Sequence, residues 1–159
     1  MSSPNIKTDL DSLPAEIQAR HEALVDFFGR HLFWCRRQTS DFTQSAVSSP
    51  DLRKRLGRIP AESYARVAEL PQNARDAAID IANAAVDDFM KRVLVLFTTM
   101  SADQRLGEEH GIRYKLYMEI IERADWDRVV TEELINRDGE KVFCDYFGRW
   151  LLRHREMPD

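Results

Sequence analysis

Apolar residues recur at helical spacing in two long stretches of the chain, and the first begins after a helix-start signal. Ser12 is a suitable N-cap, and Pro14 and Glu16 suit a first turn. The stripe that follows predicts a helix ending near Gln38; its members are Ile17, Leu24, Phe28, His31, Leu32 and Cys35. Residues 39–50 are rich in Ser and Thr and show no period, which predicts a loop.

The second stretch, residues 72–100, carries the strongest helical signal and predicts the long central helix of the fold. Its apolar positions are Ala78, Ile81, Ala82, Ala85, Phe89, Val93, Leu96 and Met100. Two (i, i+4) pairs with the acid first also favour this helix. They are Asp87 with Lys91 and Asp88 with Arg92. The first half is rich in alanine, so we expect it to pack closely on another helix.

Two short helices are predicted between the long ones. The first spans residues 51–57, with Asp51 as its cap and Gly57 as its end. The second starts at Pro60 and ends before Pro71, since proline suits a first helical turn and stops a helix that reaches it.

The apolar pattern changes to period two over residues 112–121, after a charged connection at 101–111, and this predicts a strand. A helix is the alternative, because Lys115, Glu119 and Arg123 also lie four residues apart. A second strand is predicted at 129–135, after a polar connection at 124–127. The two strands would form a hairpin at about 112–136, which must pack on helices or on another chain to be stable in water.

The last predicted element is a helix over residues 140–155. Its apolar face comprises Phe143, Tyr146, Phe147, Trp150, Leu151 and His154. Gly148 lies inside it and costs about 1 kcal/mol relative to alanine, so we expect a close packing contact there.

The fold class that follows is mainly α (α+β): a flexible lead-in at 1–12, then one domain over 13–157. The first, central and last helices would form its core.

Composition narrows the function classes without naming one. The chain has 159 residues, 43% hydrophobic and 31% charged, with a net charge of −4. This balance excludes wholesale disorder and argues against a general nucleic-acid binder. The charge is uneven, however: residues 36–58 sum to +4 and residues 103–140 to −5. A basic cluster is therefore a candidate site for an anionic partner, with a solvated, paired helix face as the alternative. Its members are Arg53, Lys54, Arg55 and Arg58.

Other sequence signals predict a cytoplasmic, soluble chain without metal or cofactor. No secretory signal opens the sequence, and no apolar run approaches the roughly 20 residues that cross a bilayer. Cys35 and Cys144 stand in aromatic-rich stretches, which favours buried, reduced thiols. The phosphate loop, the GxSxG elbow and the HExxH motif are all missing, and no histidine pair has metal-binding spacing. The adjacent acids Asp87-Asp88, Glu108-Glu109 and Glu132-Glu133 are expected on a wet surface.

Arg149 and His154 match an Arg-x4-His spacing, as do Arg105 and His110. The spacing resembles the motif of the small helical HEPN-class RNases, over six residues only. The resemblance implies that Arg149 steadies a phosphate while His154 handles the proton in metal-independent RNA cleavage across a dimer. Trp150 stands where that family has a polar residue.

The function that the sequence favours is a non-catalytic protein-interaction or regulatory protein acting through helical surfaces, with a HEPN-like RNase as the alternative. The supporting observation is a well-patterned core without a convergent polar site. The partner would be another protein or a second copy of the chain, and Tyr146 and Trp150 are candidate interface residues because these residue types are enriched at contacts.

Overall fold

The structure is a computed structural model that describes residues 15–98, 105–106, 110–111, 114–122, 124–137 and 145–154, without the side chains of 105–106, 110–111 and 154. It is mainly α with a small β component, as predicted. The chain divides into two compact units. Unit 1 contains the described residues of Met1–Phe33 and Val93–Asp159, and unit 2 is Trp34–Arg92. The expectation of one domain over 13–157 stays a prediction, and the lead-in at 1–12 lies outside the described residues.

Five helices and two antiparallel strand pairs make up the described chain. The helices are α1 (Ile17–Ser48), α2 (Pro50–Arg53), α3 (Arg58–Ala68), α4 (Gln72–Leu96) and α5 (Asp145–His154). The strands are β1 (Arg105–Leu106), β2 (His110–Gly111), β3 (Tyr117–Glu122) and β4 (Asp125–Leu134), paired β1 with β2 and β3 with β4. The short β1–β2 pair lies inside the predicted connection at 101–111.

Helix α1 is capped by a glutamate side chain at its start. The Glu16 carboxylate accepts a hydrogen bond of 2.6 Å from the backbone N–H of Ala19. This bond, with a second one from the Gln18 backbone, lowers the pKa of Glu16 below its ordinary value. The acid therefore satisfies one of the first-turn donors that a helix leaves unpaired. The predicted cap Ser12 lies outside the described residues.

The predicted loop at 39–50 is wrong, because α1 continues through most of it to Ser48. Hydroxyl groups that compete with the backbone elsewhere instead bond back to carbonyls one turn earlier. Thr39 donates to the Cys35 carbonyl at 2.9 Å, Thr43 to that of Thr39 at 2.9 Å, and Ser48 to that of Gln44 at 2.8 Å.

Cys35 itself is exposed, which corrects the expectation of a buried thiol, and Cys144 lies outside the described residues.

Two arginines cap the carboxyl ends of helices in unit 2. The Arg53 guanidinium donates to the carbonyls of Ala46 and Val47 at 2.8 and 2.7 Å, near the end of α1. Arg75 donates to the carbonyls of Ala68 and Leu70, at 2.9 and 3.1 Å, where α3 ends. Cations are favourable at these positions because the last carbonyls of a helix are unpaired and carry partial negative charge.

The short helices differ from their predicted bounds. The hydroxyl of Ser49, rather than Asp51, caps α2 by accepting a bond from Leu52 N–H at 3.2 Å. Gly57 precedes α3 as its N-cap and does not end the helix before it. Helix α2 therefore ends four residues earlier than the predicted end at Gly57, and α3 begins two residues before the predicted start at Pro60.

Helix α1 is tied to α4 and to α3 inside unit 2. The guanidinium of Arg36 binds the Asp87 carboxylate with two nitrogens, one of them at 2.9 Å, and this hydrogen bonding raises the pKa of Arg36. Asp87 is thus paired across two helices and not with Lys91, which corrects that prediction. The predicted Asp88–Arg92 pair is confirmed at 2.6 Å. Phe42 meets Tyr64 of α3 edge-on, with ring centroids 6.2 Å apart.

The core of unit 1 is built around the indole of Trp150, which is 0% exposed. The rings of Tyr146 and Phe28 lie 5.7 and 5.9 Å from it, and Phe147 is buried against Phe33 of α1. The predicted apolar face of α5 is confirmed at its described core positions, 146, 147 and 150. The side chains of Phe143 and His154 lie outside the described residues.

The close glycine contact lies on α1 rather than on α5. Gly29 is buried, and a Cβ added there would overlap three atoms of the Trp150 indole at well under 3.0 Å. Gly148 is exposed, with nothing within 4 Å of an added Cβ, so the predicted packing contact at Gly148 is wrong. The indole occupies the space that a side chain at position 29 would need.

The predicted hairpin is confirmed as β3 and β4, and the helical alternative for 112–121 is wrong in its described part from Tyr117 onward. Tyr117 pairs with Leu134 and Ile120 with Thr131, after which the register shifts twice toward the turn. Asn136 stabilises the end of the hairpin that lies away from its turn. Its amide donates to the carbonyls of Phe97 and Tyr114 at 2.8 Å and accepts from the Leu116 N–H at 2.7 Å.

The predicted apolar face of α4 is wrong at Ile81, Ala85, Phe89 and Leu96, which are all exposed. Ile81 and Phe89 are 71% and 68% exposed, and the residues that α4 buries are Met90 and Leu94. Ala85 is exposed as well. Helix α4 therefore leaves Ile81, Ala85 and Phe89 exposed along one side.

Candidate interaction surfaces

The first candidate surface is the distal half of the hairpin in unit 1. Trp126 is 76% exposed there, and Val129 and Val130 are about half exposed. We call these three side chains the hairpin surface. A Trp and two Val, three and four residues from it, thus remain exposed on one strand segment, and such exposure is typical of contact sites because Trp is enriched among residues that carry binding energy.

The exposure of the hairpin surface follows from strand irregularity and from what the helices cover. All six residues from Asp125 to Val130 are exposed, although neighbouring residues of a strand point to opposite faces. Neither face of this half of β4 is therefore covered. The register skips Val130 between the pairs Ile120–Thr131 and Ile121–Val129, as a β-bulge does when it redirects a side chain.

Carboxylates surround the hairpin surface. Asp125, Asp127 and Glu132 are exposed on β4. The exposed cation of this strand, Arg128, donates to the Glu122 carboxylate at 2.8 Å, so its charge is already balanced. The surface therefore combines apolar side chains with an excess of negative charge, and it is complementary to a partner that is apolar and basic.

The second candidate surface lies on α4 in unit 2. It is the exposed row Ile81, Ala85 and Phe89, with residues four positions apart on one side of the helix. We call it the α4 row. Because large aliphatic and aromatic side chains flank a small one, the row offers a shallow depression that another helix could enter.

The predicted basic cluster is largely engaged within unit 2. Arg53 caps α1, Lys54 pairs with Asp51 at 2.7 Å, and Arg58 lies 3.6 Å from Glu62. Arg55 is the exposed member that the structure gives no ion-pair partner among the residues it describes. Because the Arg53 guanidinium is hydrogen-bonded to the end of α1, the four basic residues do not form a single anion-binding site. The anionic partner stays a prediction.

The predicted catalytic pair Arg149 and His154 lies on α5. The guanidinium of Arg149 stacks over the Tyr146 ring, 4.4 Å from its centroid. Positions 149 and 154 are five residues apart and project about 140° apart around the helix. The His154 imidazole lies outside the described side chains, as do the side chains of Arg105 and His110. The RNase alternative stays a prediction without a geometric observation in its favour.

The predicted interface residues Tyr146 and Trp150 both lie in the core of unit 1, 5% and 0% exposed. Side chains this deeply packed on their own chain present almost no surface to a partner. A contact between chains would have to use the exposed residues instead, such as those of the hairpin surface and the α4 row.

A buried polar cluster joins α1 to the hairpin. His21 Nδ1 lies 3.2 Å from the Glu133 carboxylate, and Arg137 also donates to that carboxylate. Glu133 is 6% exposed, so the expectation of a wet Glu132-Glu133 doublet is wrong for this residue. The half-buried His31 has its Nδ1 3.2 Å from the Phe27 carbonyl. Nδ1 of each histidine thus has a hydrogen-bond partner within the fold, as expected for structural histidines. No group of three metal-ligating side chains occurs within the described part of the chain.

Sequence reasoning missed Trp126, because residues 124–127 were interpreted as a polar connection. The available signal is a tryptophan between two aspartates, Asp125 and Asp127, outside the alternating apolar pattern of residues 112–121. An aromatic residue that no periodic stripe explains is a candidate for contact outside the core.

Comparison with known proteins identifies no relative: no family model, no curated protein and no solved structure matches the chain. Within the described residues, none of the helices has the length and apolar character needed to cross a membrane.

Proposed function

We propose that the chain is a non-catalytic protein-interaction protein that binds its partner through the hairpin surface. The observation that carries the proposal is Trp126, held 76% exposed on an arm whose neighbouring residues are uncovered on both faces. Burying a large aromatic side chain is worth about 1.5–3 kcal/mol, so its exposure in the free chain leaves that energy for a contact.

The partner is a polypeptide segment that carries both apolar and basic side chains. The apolar part would cover Trp126, Val129 and Val130, and lysine or arginine would meet the carboxylates beside them. Opposite charges at the rim of an apolar patch raise the rate of association and exclude partners of the wrong sign. The same carboxylates repel an anionic lipid surface.

The exposed Cys35 thiol, which forms no disulfide, supports a reducing, cytoplasmic location.

Fluorescence anisotropy with three labelled synthetic peptides tests this proposal. One alternates Lys and Val, one replaces Lys by Glu, and one replaces Val by Ser. The Lys–Val peptide should bind the full chain more tightly than either control, and added salt should weaken the binding. Equal binding of the Lys–Ser peptide, or no binding of Lys–Val up to about 1 mM, contradicts the proposal.

Matched variants locate the binding to the hairpin. Trp126→Ala should weaken binding of the Lys–Val peptide by about thirtyfold, as expected for a contact residue worth about 2 kcal/mol. Leu152→Ala removes an exposed apolar side chain from α5, 88% exposed, and should leave binding unchanged. Similar affinities for Trp126→Ala and the unaltered chain would show that the peptide binds elsewhere.

A further inference from the structure

The outer edge of β4 presents main-chain hydrogen-bonding groups beside the hairpin surface. The Ile135 N–H donates to the Leu116 carbonyl at 3.0 Å, one residue beyond the paired strands. In an antiparallel pair, hydrogen-bonded and non-hydrogen-bonded residue pairs alternate along the strands. Counting from this bond, Glu132 and Leu134 belong to non-hydrogen-bonded pairs with β3. Their N–H and C=O groups therefore point away from β3, toward the outer edge.

This edge can accept a further strand. The sheet has two strands, so β3 is the neighbour of β4 among the strands that the structure describes. The register is regular from Leu134 back to Thr131, before the skipped Val130, and Glu132 is exposed. An unpaired strand edge is a template for another strand, because an extended polypeptide supplies acceptors and donors at the same repeat. The edge therefore fits a polypeptide in extended conformation.

Two opposed carboxylates favour a cation in that polypeptide. Glu119 of β3 lies directly opposite Glu132, and both are exposed. In a non-hydrogen-bonded pair the Cα atoms are only about 4.5 Å apart, and like charges directly opposite are destabilising. A lysine or arginine opposite Glu132 on an added strand would lie on the same face and offset both charges. The β4 strand of a second copy would instead add carboxylates to this face.

We propose that the partner segment binds as a third, antiparallel strand on the outer edge of β4, with a basic residue opposite Glu132. This inference rests on the proposed function, which supplies the chemistry of the partner, and it adds the conformation and register. Because side chains of a strand alternate between faces, a Lys–Val repeat places every lysine on the face of Glu119 and Glu132. Further along β4 the segment reaches the uncovered residues from Val130 to Asp125.

Backbone N-methylation distinguishes strand addition from docking by side chains alone. In the antiparallel arrangement the lysine opposite Glu132 directs its own N–H and C=O toward β4, and the valines direct theirs away. Methylation of every lysine backbone nitrogen in the Lys–Val peptide should weaken binding at least about thirtyfold in fluorescence anisotropy, because several hydrogen bonds are lost. Methylation of every valine nitrogen is the matched control, with equal charge and methyl count, and should leave binding unchanged.

Amide hydrogen exchange locates the added strand on the chain. The N–H groups of Glu132 and Leu134 should exchange more slowly when the unmethylated peptide is bound, because they gain carbonyl acceptors. The valine-methylated peptide should slow them equally, whereas the lysine-methylated peptide should not.

A charge substitution tests the opposed carboxylates. Glu119→Gln should weaken binding of the Lys–Val peptide by about fivefold, as expected for an exposed ion pair. It should also raise the urea midpoint of the free chain, because the repulsion from Glu132 is removed. Glu69→Gln removes the same charge from an exposed position in unit 2 and should leave the affinity unchanged.

The possible failures are distinguishable. Equal affinities of the two methylated peptides would overturn strand addition and leave the proposed function in place, as would peptide binding without slower exchange at Glu132 and Leu134. Slow exchange at both amides in the peptide-free chain, lost on dilution, would assign the edge to a second copy and overturn the inference. No binding of the unmethylated peptide would contradict the proposed function itself.

Discussion

Replacing Gly29 by alanine adds one methyl group where the Trp150 indole already stands. The added Cβ would lie well under 3.0 Å from the Cδ2, Cε2 and Nε1 atoms of a ring that is fully buried between Tyr146 and Phe28. A flexible chain end could move aside, but a packed ring can shift only by displacing its neighbours. The backbone of α1 or the whole indole must therefore give way.

The magnitude follows from two opposing effects. Overpacking a core costs about 1–3 kcal/mol, and the rigid obstacle places Gly29→Ala near the upper end. Alanine gains about 1 kcal/mol over glycine in a helix, which offsets part of this cost. The expected net loss in the free energy of unfolding is about 2 kcal/mol, which lowers Tm by about 4–8 °C in a chain of this size.

Gly148→Ala is the matched control, in the middle of α5. An added Cβ there has nothing within 4 Å, so the helix gain acts alone. We expect an increase of up to about 1 kcal/mol and a Tm higher by about 2–4 °C. Urea unfolding followed by circular dichroism measures both variants. A neutral or stabilising Gly29→Ala would refute the packing argument, as would an equal loss in a Trp150→Phe background, where the smaller ring should relieve the clash.

Three further changes test the contacts that hold each unit together. Alanine at Arg36 or Asp87 should each cost about 1–3 kcal/mol in urea unfolding. Purely additive losses in the double variant would contradict the pairing. Asn136→Ala removes the hydrogen bonds from Asn136 to the backbone beside the hairpin and should lower the free energy of unfolding by about 2–3 kcal/mol. Amide exchange at Leu116 should become faster, and unchanged exchange would contradict a stabilising role for Asn136. Because its hydrogen bonds lower the pKa of Glu16, this carboxylate stabilises the fold above its unfolded pKa and loses that effect as pH falls through its folded pKa. Glu16→Gln should therefore reduce helicity by circular dichroism at neutral pH but not in acid, and a pH-independent difference would speak against the cap.

Local pattern predicted the elements whose signals are repeated many times along the chain. Period two across 117–121 indicated a strand, and the stripe of Tyr146, Phe147 and Trp150 indicated a buried helix face; both are confirmed. The start of α4 at Gln72, directly after Pro71, was also predicted, because proline interrupts a helix through its own covalent geometry.

The loop predicted at 39–50 shows where local pattern fails. Ser and Thr favour turns because their hydroxyls compete for backbone groups, yet here Thr39, Thr43 and Ser48 bond to carbonyls of the helix itself. The carboxyl end of that helix is also capped by Arg53, which comes several residues later. Composition reveals neither the helix carbonyls that accept these bonds nor the Arg53 guanidinium that caps the helix.

The candidate surfaces could be predicted only in part. The charge difference between residues 36–58 and 103–140 was visible in the sequence, and it persists as carboxylates around the hairpin surface. The exposure of Trp126 was not visible, because it depends on strand register and on which residues the helices cover. The interface expected at Tyr146 and Trp150 was drawn from residue type, which favours cores and contacts alike.

The sequence by itself determined the kind and order of the longer elements, namely α4, the β3–β4 hairpin, α5 and the start of α1, because periodicity, caps and prolines act over a few residues. Only the tertiary structure decided which face of each element is covered. Spacing showed that Ile81, Ala85 and Phe89 share one side of α4, but burial requires a neighbouring element, and all three are exposed among the residues that the structure describes. Likewise, two glycines look alike along the chain, and only the Trp150 indole distinguishes Gly29, which has no room for a methyl group, from Gly148, which has.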